Sequence, residues 1–153
     1  MMKKDLAAKL ENLREYYSEL GGYAKYGPEE IKKNRMLRRA LERSLEIALE
    51  CMLDIGEMVI SSENLKKPDT YREIIEVLGK EGIIPQDLAE RLAPAASLRN
   101  VLVHMYSEVD VDRICEFLSG DLQDISLFAK YVAEHAGRKG RRNGKTTQET
   151  PKK

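Results

Sequence analysis

The chain has 153 residues, 42% hydrophobic and 34% charged, with no Trp and only two Phe. That composition fits one soluble domain with a real core and favours helix over sheet. Two cysteines without metal-ligand spacing, and a Met-Met-Lys-Lys start with no apolar run behind it, exclude a zinc site, a disulfide framework, a signal peptide and a membrane span as readings, so a cytoplasmic protein is expected. The zero formal charge hides an asymmetry. From Ala136 onward seven Lys/Arg face one acid, a net +6, so residues 1–135 carry −6. Such a basic end is either a solvated disordered tail or an electrostatic handle for nucleic acid or an acidic partner.

Leu6, Leu10, Leu13, Tyr17 and Leu20 form one stripe of a first helix, which Gly21-Gly22 ends or bends. Pro28-Glu29-Glu30 opens a second and longest helix, running to about Ile60. Leu37, Leu41, Leu45, Ala48, Met52, Ile55 and Val59 line one face of it. Ile47, Cys51 and Met58 line the next, and Glu42, Glu46 and Glu50 an outer, solvated one. Two adjacent apolar faces place this helix centrally, or between a core and a second chain. Asp69 or Thr70 caps a short third helix with Tyr71, Ile74, Ile75 and Leu78 inward, closed by Gly79 and Gly82. A fourth helix starts at Pro85, and Pro94 should kink or restart it. Asp110 caps a fifth, with Ile114, Leu118, Leu122, Ile125, Phe128 and Val132 buried and Gly137 as its stop. Residues 1–135 are thus the helical domain and 136–153 a disordered basic tail.

Chemistry concentrates at Arg99-Asn100-Val101-Leu102-Val103-His104-Met105-Tyr106. An imidazole can move the proton of an RNA 2′-hydroxyl, and a guanidinium can hold the phosphate through its fork of donors. The pair therefore suits RNA cleavage without a metal. A lone Arg and His near a helix end also commonly cap carbonyls or pair with an acid. On an ideal helix Arg99 and Tyr106 align within about 20°, whereas His104 lies about 140° away. Convergence of all three needs the helix to end near His104, or a second chain. The chain has two histidines, and His135 lies at a helix end beside the tail. A two-fold homodimer would supply a second His104. Asp54, in the apolar row of Ile47, Cys51 and Met58, is either an exposed rim acid or the ionic partner of Arg99. Asn100 can hold a phosphate or orient Arg99.

Arg99-x4-His104-x-Tyr106 resembles the signature of HepT-type toxins in the HEPN superfamily of helical ribonucleases. The segments Arg39-Ala40-Leu41-Glu42-Arg43-Ser44-Leu45-Glu46-Ile47-Ala48, Gly82-Ile83-Ile84 and Leu98-Arg99-Asn100-Val101-Leu102-Val103-His104 are similar to that family too, and the likeness covers most of residues 1–135. The resemblance implies an all-α, antiparallel up-and-down bundle of about five helices that forms a homodimer. It implies a type VII-like toxin with RNA as substrate and no cofactor, Arg99 and His104 as catalytic residues and Asn100 in support. It implies a minimal nucleotidyltransferase antitoxin that transfers AMP from ATP to Tyr106. Charge loaded onto that phenol would oppose an RNA phosphate. The alternative is a non-catalytic dimeric partner or regulatory subunit of such a nucleotidyltransferase. A helical scaffold whose tail binds nucleic acid by charge alone is a third reading.

Overall fold

A computed structural model describes residues 2–103 and 111–149, with side chains from 4–103 and 111–139. Among the described residues the chain is all-α, without a strand. Its helices are α1 (Met2–Gly21), α2 (Pro28–Lys33), α3 (Arg35–Ser62), α4 (Tyr71–Lys80), α5 (Gln86–Val103), α6 (Val111–Glu116) and α7 (Leu122–Glu149). None of the described helices is long and apolar enough to cross a membrane.

The first stripe folds as its spacing predicts. Leu6, Leu10, Leu13 and Leu20 of α1 are buried and Tyr17 is half-buried, packed between α3 and α7. Gly21 leads into a single 3₁₀ turn, Gly22–Lys25, and Gly27 then opens α2 with Pro28 in the first turn.

The predicted second helix is two helices. Asn34 leaves helical geometry (φ −110°, ψ 98°), and its side-chain oxygen accepts the Leu37 N–H at 3.0 Å. A short amide side chain competes with the backbone for that donor and restarts the helix as an N-cap. Ile31, 1% exposed, pins α2 to the core on the near side of the break.

Beyond the break α3 is the central helix, with α1, α2, α4, α5 and α7 all packed against it. Its buried arc is wider than expected and includes Leu49, Leu53 and Ile60. The Glu42–Glu46–Glu50 row runs along that arc and is not the solvated face that its acids suggested. Glu42 is buried, and Glu46 and Glu50 are half-buried. The apolar neighbours of those acids set the face, and α5 meets it at Glu50 through Arg99.

Thr70 caps α4, accepting the Glu73 N–H at 3.1 Å, while the Glu73 carboxylate returns to the Asp69 N–H at 2.9 Å. Two glycines let α4 dock closely. A Cβ on Gly56 would stand 2.5 Å from Ile74 Cγ2, and one on Gly79 would stand 2.5 Å from Ala89 Cβ. Gly79 lies inside α4 and serves this contact, whereas Gly82 (φ 73°) makes the turn into α5. Gly79 meets Ala89 at one end of α4 and Tyr71 meets Arg99 at the other, so α4 and α5 are antiparallel.

Of the two readings for Pro94, a kink or a restart, the restart is set aside, since α5 runs unbroken through the proline. The proline is solvent-exposed, between buried Ala93, Ala95 and Ala96. Its ring meets water there, and the carbonyl left without its helical donor belongs to Glu90, itself an exposed residue.

The last predicted helix is also interrupted. A π-helical segment, Phe117–Asp121, joins α6 to α7. Ile114, Leu118, Leu122, Ile125, Phe128 and Val132 are all buried across it, as their helical spacing predicts. Asp110, expected as the cap, lies outside the described residues. Gly137 does not end α7, whose backbone continues to Glu149. Ala136 still packs against the core, and Lys139 donates to the Ser62 carbonyl and pairs with Glu63.

Candidate active site

The C-terminal half of α5 presents Arg99. Leu98 and Leu102 are buried and fix the rotation of the helix, while Val101 and Val103 are exposed. Arg99 falls between these faces, with its side chain only 15% exposed.

Three groups surround its guanidinium. Nη2 donates to Glu50 Oε1 at 2.9 Å. Nη1 donates to Asn100 Oδ1 at 3.3 Å. The guanidinium carbon stands 4.4 Å from the centre of the Tyr71 ring, within range of a cation–π contact. Nε is buried and has no hydrogen-bond partner among the described residues. The arginine is thus held in plane and in rotation, with donor capacity to spare.

Asp54 is not the ionic partner of Arg99. It is an exposed acid paired with Lys9 of α1 at 3.4 Å. The register of α5 against α3 explains this: α5 meets α3 at the level of Glu50, and Asp54, one turn onward, falls on the α1 side. Cys51 lies on that side too, its thiol donating to the Lys9 carbonyl at 3.5 Å. Burial pushes the Cys51 thiol up to about 11, which suits a packing role.

His104 and Tyr106 lie outside the described residues, so the structure brings together Arg99 and Asn100 from the motif, plus Glu50 and Tyr71 from elsewhere. Of these two, the sequence marks Tyr71 only as an inward residue of α4. It places Glu50 on a solvated face, although the apolar Leu49 and Leu53 beside it signal that its row is covered.

The other histidine is elsewhere. His135 Nε2 is 3.7 Å from Glu63 Oε2, next to Lys139. The hydrogen bond from Lys139, helped by the charges of Lys139 and His135, holds the Glu63 carboxyl below its usual range. Glu63 follows the end of α3, about 20 Å along the helix from Glu50 at the ordinary rise. His135 therefore belongs to a clasp between α3 and α7. No cluster of His, Cys, Asp or Glu able to hold a metal ion occurs among the described residues.

Comparison with known proteins gives the same picture of the fold. The HepT-like ribonuclease family matches residues 13–132. A tRNA nuclease HepT from Aphanizomenon flos-aquae is 26% identical over 127 residues, covering 83% of this chain and 86% of that protein. An mRNA nuclease HepT from Shewanella oneidensis is 25% identical over 103 residues, covering 67% and 77%. Among solved structures, a tri-AMPylated Shewanella oneidensis HEPN toxin in complex with an MNT antitoxin superposes with a TM-score of 0.70 at 20% identity, covering 87% of this chain and 97% of that one. The cytosolic protein YutE from Bacillus subtilis, of unknown function, superposes at 0.73 and 18%, covering 87% and 92%.

Proposed function

The chain belongs to the HepT-like ribonuclease family, and from that premise we propose that it is a metal-independent endoribonuclease acting as the toxin of a toxin–antitoxin pair in the cytoplasm. The observation that carries the proposal is Arg99. A mostly buried guanidinium, held by Glu50, Asn100 and the Tyr71 ring, stands five residues before His104, and its buried Nε has no partner among the described residues. An arginine that served only to satisfy Glu50 would not need that third, aromatic support.

In the proposed reaction His104 takes the proton of an RNA 2′-hydroxyl. The 2′-oxygen attacks the adjacent phosphorus as the bond to the 5′-oxygen breaks. Arg99 stabilises the charge gathering on the non-bridging oxygens. The 5′-oxygen leaves with a proton from a second acid, giving a 2′,3′-cyclic phosphate and a 5′-hydroxyl. Since His135 sits in the clasp at the end of α3, His104 of a second copy is the group proposed for that acid. A homodimer is therefore part of the proposal, and the exposed Val101 and Val103 beside the motif offer it apolar surface.

Tyr106 is the proposed control point. A nucleotidyltransferase antitoxin would join the phenol oxygen to the α-phosphorus of ATP, releasing pyrophosphate. The added phosphate would then occupy the RNA site with like charge.

An RNA cleavage assay on wild type, Arg99→Ala and His104→Ala tests the reading, with intact mass recorded before and after incubation with the nucleotidyltransferase and ATP. Cleavage by wild type alone, with AMP added to wild type and absent from Tyr106→Phe, is expected. Copurification with the nucleotidyltransferase but no cleavage by any form would favour the non-catalytic partner instead.

A further inference from the structure

We propose that Glu50 and Tyr71 are the positioning residues of Arg99, setting the orientation in which its guanidinium meets the scissile phosphate; the inference rests on the ribonuclease reading above.

A free arginine side chain samples many rotamers, and an anion that recruits it must order it first. Here the ordering is done beforehand, and by elements distant in sequence. Tyr71 is the first residue of α4, and its ring lies 4.4 Å from the guanidinium carbon, which restricts the tilt of the guanidinium plane. Glu50, in the middle of α3, takes Nη2 at 2.9 Å and so sets rotation within that plane. Asn100 takes Nη1 at 3.3 Å from the same helix. Among the described residues each of the two terminal nitrogens thus has one contact and a second N–H to give, while Nε is buried.

Both supports are themselves anchored. Thr70 and the Asp69–Glu73 contact fix the start of α4, where Tyr71 stands. Gly56 lets Ile74 approach α3 closely enough to bring that start to Arg99. A guanidinium aimed at the phosphate by these supports is worth more to the more highly charged transition state than to the singly charged substrate, so the ordering raises kcat rather than ground-state binding.

The test is steady-state cleavage of one oligoribonucleotide by Glu50→Ala, Glu50→Gln, Tyr71→Ala, Tyr71→Phe and Arg99→Ala, with thermal melting of each. Glu50→Ala and Tyr71→Ala are expected to lose about 10- to 100-fold in kcat, with KM within about threefold of wild type. Glu50→Gln keeps the oxygen that accepts Nη2, and Tyr71→Phe keeps the ring, so both should recover most of that loss. A second readout follows the guanidinium directly. By NMR, the Arg99 side-chain N–H signals, assigned by their disappearance in Arg99→Lys, should be separate and slowly exchanging in wild type and averaged in Glu50→Ala. Should Glu50→Ala fail to fold, Tyr71→Ala carries both readouts. The proposal is overturned if wild type cleaves, Arg99→Ala does not, and the Glu50 and Tyr71 alanine variants keep wild-type kcat. It is overturned equally if the conservative variants lose as much as the alanines. A wild type that never cleaves removes the ribonuclease reading itself, and the positioning role with it.

Discussion

Two arginines on α5, eight residues apart, use the same chemistry to opposite ends. Arg91 is half-exposed and reaches inward to Asp124, which is 2% exposed and receives Nε and Nη2 at 3.2 to 3.3 Å. Its Nη1 goes to Asp87 at 3.1 Å, so all three nitrogens are engaged. Arg99 reverses the burial: the arginine is covered, its acid partner Glu50 is 36% exposed, and Nε has no partner among the described residues. At Arg91 the group that needs rescuing from the core is the acid, and the arginine is its clamp between α5 and α7. At Arg99 the arginine is the group being presented. A fully engaged fork locks structure, whereas a held but under-used fork is available to a ligand.

The largest expected effect separates these roles. Arg99→Ala should lower cleavage about 10²- to 10³-fold with little change in melting temperature, as for the loss of one transition-state donor. Arg91→Met should do the reverse. It strands the Asp124 carboxylate, lowers the melting temperature by several degrees, and leaves kcat per folded molecule near wild type. If both substitutions move the same observable, the contrast between the arginines fails.

Next is the docking that brings Tyr71 to Arg99. Gly56→Val forces atoms into the space of Ile74 and should cost about 1–3 kcal/mol in urea unfolding, with kcat falling as α4 is displaced. An unchanged unfolding midpoint would mean that α4 does not depend on this close approach.

Pro94 lies between the two arginines on the exposed side of α5. Pro94→Ala restores a helical donor and should stabilise the protein by about 1–2 kcal/mol, less than the intrinsic propensity difference because solvent already serves the freed carbonyl. A loss of stability would show that a proline-shaped helix is needed to seat both arginines.

The smallest effect belongs to Asp54. Its pair with Lys9 is exposed on both sides, so Asp54→Asn should change stability by less than about 0.5 kcal/mol and leave cleavage intact. A large drop in cleavage would return Asp54 to the site.

Much of the helical layout was legible before any coordinates. The stripe from Leu6 to Leu20, the Thr70 cap and the buried set from Ile114 to Val132 follow from 3.6-residue periodicity and capping chemistry, which are local. The break at Asn34 was present in the residue type but was overridden by the apolar pattern on both sides. That α5 continues through Pro94 rather than restarting there was not decided by the sequence, because it depends on which side of the helix meets water. The π-helical segment at Phe117–Asp121 left no mark in the sequence, because the apolar pattern across it keeps an ordinary helical period.

The same division runs through the site. The sequence by itself determined that Arg99 and Asn100 sit in an apolar stretch between Leu98 and Val103, and that Arg99, His104 and Tyr106 belong to one short motif, because those are matters of residue type and spacing along one segment. Only the tertiary structure decided that Glu50, and not Asp54, faces Arg99, and that Tyr71 lies beneath it. Those contacts are set by the register of α5 on α3 and by the close approach of α4 at Gly56, which arise from side-chain volumes meeting across the core and leave no period in the chain.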